Sequence, residues 1–187
     1  NGRYYFENGD FYDGEFKLDL AAGKGAYYSH DGNVYYGMWE NDMRNGRGTY
    51  VFNNGSRYTG NWVDNDIHGK GKFDYANGCY YRGEFDRNRK HGKGIFTWAN
   101  LNCFKGEFVH DEMRGKGEMK YQKGHRYIGD WAGNKKNGYG IFYYADGHIY
   151  EGHWVDDQRV GKGKMTFFPG LLIEESYDGD WVDDQKH

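Results

Sequence analysis

The chain has 187 residues and a net charge of -3, with 31 glycines, one proline, 37 aromatic residues and only 18 Leu, Ile or Val. That balance excludes an ordinary aliphatic core, a collagen and a helical bundle, because glycine costs about 1 kcal/mol at each helix position. Rings must instead be buried against glycines. No run of about 18 apolar residues offers a membrane-spanning helix, and nothing resembles a signal peptide at the N-terminus. Two cysteines, Cys79 and Cys103, make no disulfide framework and fit a reducing compartment. The overall charge does not point to nucleic acid, but it is unevenly placed. Residues 69–136 carry 15 Lys or Arg against 8 Asp or Glu, whereas residues 174–184 hold six acids and no base.

Taken in chain order, residues 2–11 read as the second half of a unit, with Gly2, Tyr4, Phe6 and Gly9 in phase with the later units. The first whole unit opens at Tyr12-Asp13-Gly14-Glu15-Phe16, and the same Tyr-x-Gly-x-(Trp/Phe) pattern restarts at Tyr35, Tyr58, Tyr81, Phe104, Tyr127, Tyr150 and Tyr177. Six spacings are 23 residues and the last is 27. Paired glycines follow each start by 11 and 13 residues, as at Gly69/Gly71 and Gly138/Gly140, and a further glycine follows by 20, as at Gly55 and Gly147. Gly133 is the one glycine off this lattice. A fixed period of this length marks a repeat architecture.

Each unit predicts a β-hairpin. In Tyr-x-Gly-x-Trp and in Gly71, Phe73 and Tyr75 the marked residues alternate, so each set lies on one strand face. Asn54-Gly55, Asn77-Gly78, Asp31-Gly32 and Asp146-Gly147 supply turns that tolerate positive φ. Strand glycines are expected to leave room for neighbouring rings to lie over the backbone, since bulges at all of them would destroy the sheet. The fold class expected is therefore all-β, a single-layer antiparallel sheet of hairpins. At about 4.8 Å per strand the units would build a rod roughly 75–80 Å long, with open edge strands at which self-association, as a homodimer, is expected.

This pattern, recurring eight times and covering nearly all of the chain, resembles the MORN repeat family (membrane occupation and recognition nexus). The resemblance implies an elongated, twisted or rolled sheet and a single array over residues 1–187, with a half-repeat at 1–11. It implies no catalytic activity and no cofactor. Members of the family serve as cytoskeletal and ciliary scaffolds, as tethers between membranes, and as modules attached to lipid kinases or a methyltransferase. The implied setting is the cytoplasm, at the cytoskeleton, a cilium or the cytoplasmic face of a membrane. Because the chain begins with Asn1 inside a unit and stops inside another at His187, it is expected to be part of a longer protein.

The motifs that resemble catalytic or metal sites each lack a needed part. Gly69-Lys70, Gly92-Lys93 and Gly161-Lys162 lack the Ser or Thr and the helix of a phosphate loop. Asp64-Asn65-Asp66 begins like a calcium loop, but its twelfth position is Tyr75 and no helices flank it. The histidines, such as His68 and His91, stand a full unit apart, too far for shared metal ligation. Asp156/Asp157 and Asp183/Asp184 fall in predicted turns, where solvated charge is the default. No catalytic residue and no metal site is assigned.

Two surfaces remain as functional candidates. Tyr50, Phe52, Phe73, Tyr75, Phe96, Trp98, Tyr121, Phe142 and Tyr144 recur on one side of the second strands. They read either as the stacking core or, because a single layer has no second layer to cover them, as a trough for an amphipathic helix of a protein partner. Leu101, where a turn glycine is lost, and Phe104, which replaces the opening Tyr, join this groove. The apolar triplet of the insertion after Gly170, Leu171-Leu172-Ile173, reads as a cap or a contact; each departure also reads as drift between repeats. The second surface is a basic patch of Arg82, Arg87, Arg89, Lys90, Lys93 and Lys116, suited to anionic membrane lipid at about 1 kcal/mol per residue, or else solvated and paired with acids such as Glu84 and Glu107. Lys70, Lys93, Lys116 and Lys162 are expected to face away from the rings.

Overall fold

A computed structural model describes residues 1–170 and 175–187. The described chain is strand and turn throughout, with no helix. Contacts divide it into two compact units, Asn1–Gly92 and Lys93–His187. The first holds β1 (Gly2–Tyr5), β2 (Phe11–Lys17), β3 (Leu20–Tyr28), β4 (Val34–Glu40), β5 (Met43–Val51), β6 (Arg57–Val63), β7 (Asp66–Asp74) and β8 (Tyr80–Asp86). The division falls within β9 (Arg89–Thr97). The second unit continues with β10 (Cys103–Val109), β11 (Glu112–Lys120), β12 (Arg126–Ala132), β13 (Lys135–Tyr143), β14 (Ile149–Val155), β15 (Gln158–Phe167), β16 (Glu175–Val182) and β17 (Gln185–Lys186). From β1 to β8, and again from β10 to β17, each strand pairs antiparallel with the next. The insertion Leu171-Leu172-Ile173 lies outside the described residues.

The register explains why glycine recurs. Gly60 of β6 faces Gly71 of β7, which faces Gly83 of β8, so a strip without side chains crosses the strands. The ring of Tyr58 lies along that strip. A Cβ placed on Gly71 would meet the ring carbons of Tyr58 at 2.5 and 2.7 Å. The expected packing of rings over bare backbone is what the sheet uses, and it recurs under Tyr12, Tyr35, Phe104, Tyr127 and Tyr150.

The three glycine classes have different jobs, however. Between Gly60 and Trp62, β6 spends one residue where β7 spends three, from His68 to Lys70, and the same kind of register shift recurs in β2–β3, β4–β5, β10–β11, β12–β13 and β14–β15, one bulge per hairpin rather than none. Gly69 sits in that bulge at φ 65°, a left-handed conformation that side chains disfavour. Asn61 stands opposite, and its carbonyl accepts the Tyr58 hydroxyl at 3.0 Å. Only the second glycine of each pair lies beneath the ring.

The turn inside each hairpin is a two-residue loop with both residues at positive φ, as at Asp64 (45°) and Asn65 (71°), the type I′ geometry that matches strand twist. Gly133, off the sequence lattice, opens such a turn at φ 57°. Between hairpins, Gly55 donates to the Phe52 carbonyl at 3.0 Å and adopts φ 87°. Leu101 takes the same role at φ 66°, so the turn survives the loss of glycine at the cost of local strain.

Candidate functional site

The aromatic face is built in three layers within each unit. Deepest are the opening rings, of which Tyr35, Tyr58, Phe104, Tyr127 and Tyr150 are almost wholly buried. The residue four places on bridges neighbouring opening rings edge-on: Trp62 lies 5.3 Å from both Tyr35 and Tyr58, and Trp154 lies 5.4 and 5.2 Å from Tyr127 and Tyr150. These T-shaped contacts suit the ring quadrupoles. Indole nitrogens tie the layer to the backbone; Trp39 donates to the Gly25 carbonyl at 3.1 Å and Trp181 to Gly163 at 2.9 Å. Burial pushes the Tyr12, Tyr35 and Tyr150 hydroxyls up to about 12.

Above them runs a half-buried outer row. In the first unit Tyr50 and Phe52 are in contact (4.5 Å), Phe52 reaches Phe73 (5.5 Å) and Phe73 reaches Tyr75 (4.4 Å). In the second, Phe96 contacts Trp98 (4.7 Å), and Tyr121, Phe142 and Tyr144 form a chain at 6.0 and 4.6 Å. All of these residues are half-buried. Two residues named with them are placed differently. Phe104 is wholly covered, as an opening ring, and has no surface to present. Leu101 is 67% exposed at its strained turn.

A row of cations on the aromatic face was missed by sequence reasoning. Nine residues after an opening ring stand Arg44, Lys90, Lys136, Arg159 and Lys186. Arg44 lies over Trp62 (4.6 Å) and Tyr50 (5.4 Å), Lys136 over Trp154 (4.3 Å) and Phe142 (5.1 Å), and Arg159 over Trp181 (4.4 Å). Cation–π attraction is worth about 0.5–2 kcal/mol in such settings. Burial lowers Arg44 below its ordinary value, and it lowers Lys136 despite the opposing pull of Asp157. The signal was a single basic residue per unit, interrupted by Ala21, Ile67 and Met113 at the same phase.

A second missed feature holds successive hairpins together. The last residue of every hairpin turn is Asp or Asn, and at six of these turns its side chain accepts a backbone N–H of the preceding hairpin. Asp42 takes Ala21 (2.7 Å), Asn65 takes Arg44 (2.9 Å), Asn88 takes Ile67 (2.8 Å), Asn134 takes Met113 (2.8 Å) and Asp157 takes Lys136 (3.0 Å). Asp157 and Asp184 are therefore staples as well as turn charges.

Arg82, Arg87, Arg89 and Lys90 belong to the first unit, Lys93 and Lys116 to the second. Arg82, Arg87 and Arg89 are exposed, whereas Lys90, half-buried, shares the phase of Arg44. Lys116 is exposed and pairs with Asp130 at 2.7 Å, and Lys162 pairs with Asp180 at 2.8 Å, so these lysines have cross-strand acid partners. Among the described residues no three His, Cys, Asp or Glu gather as metal ligands, and no helix is long and apolar enough to cross a membrane.

An array of antiparallel hairpins with rings stacked over glycines that face each other across the strands defines a β-repeat protein. The MORN repeat matches residues 12–34, 35–57, 58–80, 81–103, 104–126, 127–149, 150–171 and 177–187, and the chain belongs to that family. No curated protein matches the sequence. Among solved structures, the chain is similar to the TCP domain of Drosophila melanogaster SAS-4 in complex with a proline-rich motif of Ana2. The TM-score is 0.52 at 15% identity, with 83% of each chain covered. The TCP10c domain of the same protein gives a TM-score of 0.47 at 14% identity, covering 83% of this chain and 92% of that one. The TCP10 domain of Danio rerio CPAP, in complex with a STIL peptide, gives 0.39 at 14%, covering 95% and 92%. At these identities the likeness is one of fold.

Proposed function

We propose that the chain is a non-enzymatic scaffold whose aromatic face holds a segment of a partner protein, an amphipathic helix, and so links cytoskeletal, ciliary or membrane-associated structures. The observation that carries this reading is the outer row. Tyr50, Phe52, Phe73 and Tyr75 in the first unit, and Phe96, Trp98, Tyr121, Phe142 and Tyr144 in the second, stand half-buried above a core that the opening rings already complete. Rings so placed supply large, stiff contact area at low entropic cost. The peptide complex of the similarly folded SAS-4 domain supports a sheet of this type as a platform for a polypeptide. A photoreactive benzoylphenylalanine at position 73, incorporated in cells, is expected to yield a covalent partner adduct, whereas one at position 70, in the exposed bulge, is not. Phe73→Ala and Trp98→Ala are expected to weaken capture while the chain still unfolds cooperatively. Equal adducts from both positions, or capture indifferent to both substitutions, would remove the aromatic face as the site.

A second reading, an anionic-membrane adaptor, is favoured by one observation: exposed Arg82, Arg87 and Arg89 make no ion pair among the described residues. Flotation with phosphatidylserine vesicles that is lost in Arg87→Glu/Arg89→Glu and weakened by salt would support it. Absent or salt-independent flotation would dismiss it.

A further inference from the structure

The same basic position is solved differently at Arg44 than at Arg159 and Lys136. Arg159 donates through Nε to Asp184 Oδ1 at 2.8 Å and through Nη2 to the Asp184 carbonyl at 2.7 Å, while Nη1 reaches the Tyr144 hydroxyl at 3.3 Å. Its charge is paired with Asp184 and each of its three nitrogens has an acceptor. Lys136 likewise has Asp157 at 3.9 Å. Arg44 adopts the same pose toward Asn65, with Nε to Oδ1 at 3.2 Å and Nη2 to the carbonyl at 3.1 Å. Asn65 brings no charge, and the residue that stands where Tyr144 would is Ser29, too short to reach as a tyrosine does. Among the described residues Arg44 has no carboxylate within 4 Å, and its Nη1 has no acceptor. A half-buried guanidinium over Trp62 and Tyr50 thus has no carboxylate in contact on the face assigned to docking, Asp66 acting on it only from beyond 4 Å.

We propose that the first unit selects an acidic partner segment, one whose Asp or Glu carboxylate docks on Nη1 of Arg44 while adjoining apolar side chains cover Tyr50, Phe52 and Phe73. This deepens the docking reading above and rests on it. Charge complementarity fixes the occupant: an apolar segment alone would leave the guanidinium buried and unpaired, which is the costly outcome, whereas a carboxylate completes the arrangement that Asp184 gives Arg159. Planar guanidinium against carboxylate also favours a defined register of the partner along the strands.

The test is a random-peptide display selection on the intact chain, followed by calorimetric titration of the selected synthetic peptides. Wild type is expected to enrich peptides carrying Asp or Glu beside apolar residues. Arg44→Gln should weaken them by about tenfold or more. Asn65→Asp, which installs the counter-charge found at Asp184 and keeps Arg44, should weaken them by a smaller, severalfold factor. Because Asp occupies the same turn position at Asp42, Asp157 and Asp184, the second variant is expected to fold even if the first does not. Peptides that lose affinity on Phe73→Ala yet show no acidic enrichment and ignore both variants would overturn the acidic preference while leaving the docking face in place. Acidic peptides indifferent to Asn65→Asp and Arg44→Gln would also overturn it. A selection that returns nothing sensitive to Phe73→Ala would overturn the docking reading as well.

Discussion

Two neighbouring hairpins of the second unit, β10–β11 and β12–β13, differ at one atom that matters. Tyr127 covers Gly129 and Gly140 and donates its hydroxyl to the Asp130 carbonyl at 3.1 Å. Phe104 covers Gly106 and Gly117 in the same way, with no hydroxyl to give. Both rings are fully buried and both hairpins keep the same glycine pairing and bulge. Placing the ring over bare backbone is what the fold requires, and the hydroxyl is an addition to it.

The largest effect that sharpens this comparison is expected from adding a methyl group. On Gly140 a Cβ would meet ring carbons of Tyr127 at 2.5 Å with the hydroxyl nearer still, and on Gly117 it would meet ring carbons of Phe104 no farther than 2.5 Å away. Rigid rings pinned between strands cannot retreat, so Gly140→Ala and Gly117→Ala should each cost about 3 kcal/mol in urea unfolding, by similar amounts. A marked difference between them would mean that the hydroxyl, not the ring, sets the packing. Next comes alkaline pH. The unfolded tyrosines ionise near 10, and burial pushes Tyr12, Tyr35 and Tyr150 up to about 12. The unfolded chain therefore loses those protons first. Stability is complete below pH 10 and should fall as pH rises from 10 through 12, followed by circular dichroism. A flat profile over that window would contradict the buried hydroxyls.

Smaller effects are expected from single groups. Tyr127→Phe should cost about 1 kcal/mol by removing the donor to Asp130, and Phe104→Tyr should return a similar amount if its hydroxyl reaches the Glu107 carbonyl. Loss in both directions would show that β10–β11 has repacked around phenylalanine. Smallest is Leu101→Gly. Releasing a left-handed leucine at φ 66° should raise stability by up to about 1 kcal/mol, read as a higher urea midpoint. Destabilisation would show that the exposed leucine has packing partners that matter more than its strain.

Much of the fold was legible in the sequence because it is periodic. Gly60 and Gly71 announce themselves by recurring with Tyr58, and close approach is the physical reason glycine is needed there. The separate job of Gly69 was not legible, since alternation alone cannot tell a glycine under a ring from one in a bulge at positive φ. Gly133 looked like an exception only until the inner turn positions were known. Asn65 and Asp157 carried a readable phase, Asp or Asn in every unit, but their role depends on a backbone N–H of another hairpin, which no single unit reveals. The outer rings were visible as a row; that Phe104 belongs beneath it is a consequence of its opening position. Arg44 was hidden for a different reason. Its meaning lies in what it lacks beside Arg159, and an absent counter-charge becomes apparent only when both sets of partners are in view.

The claim beneath all of this is that opening rings over glycine make the core, leaving the outer rings spare for binding. Urea unfolding of Gly71→Ala against Phe73→Ala, two residues apart on β7, tests it most directly. The account predicts that gaining one methyl at Gly71 destabilises the protein by more than losing the whole half-buried ring at Phe73. If Phe73→Ala costs as much as Gly71→Ala or more, the outer row is itself the core and the docking face is lost with it.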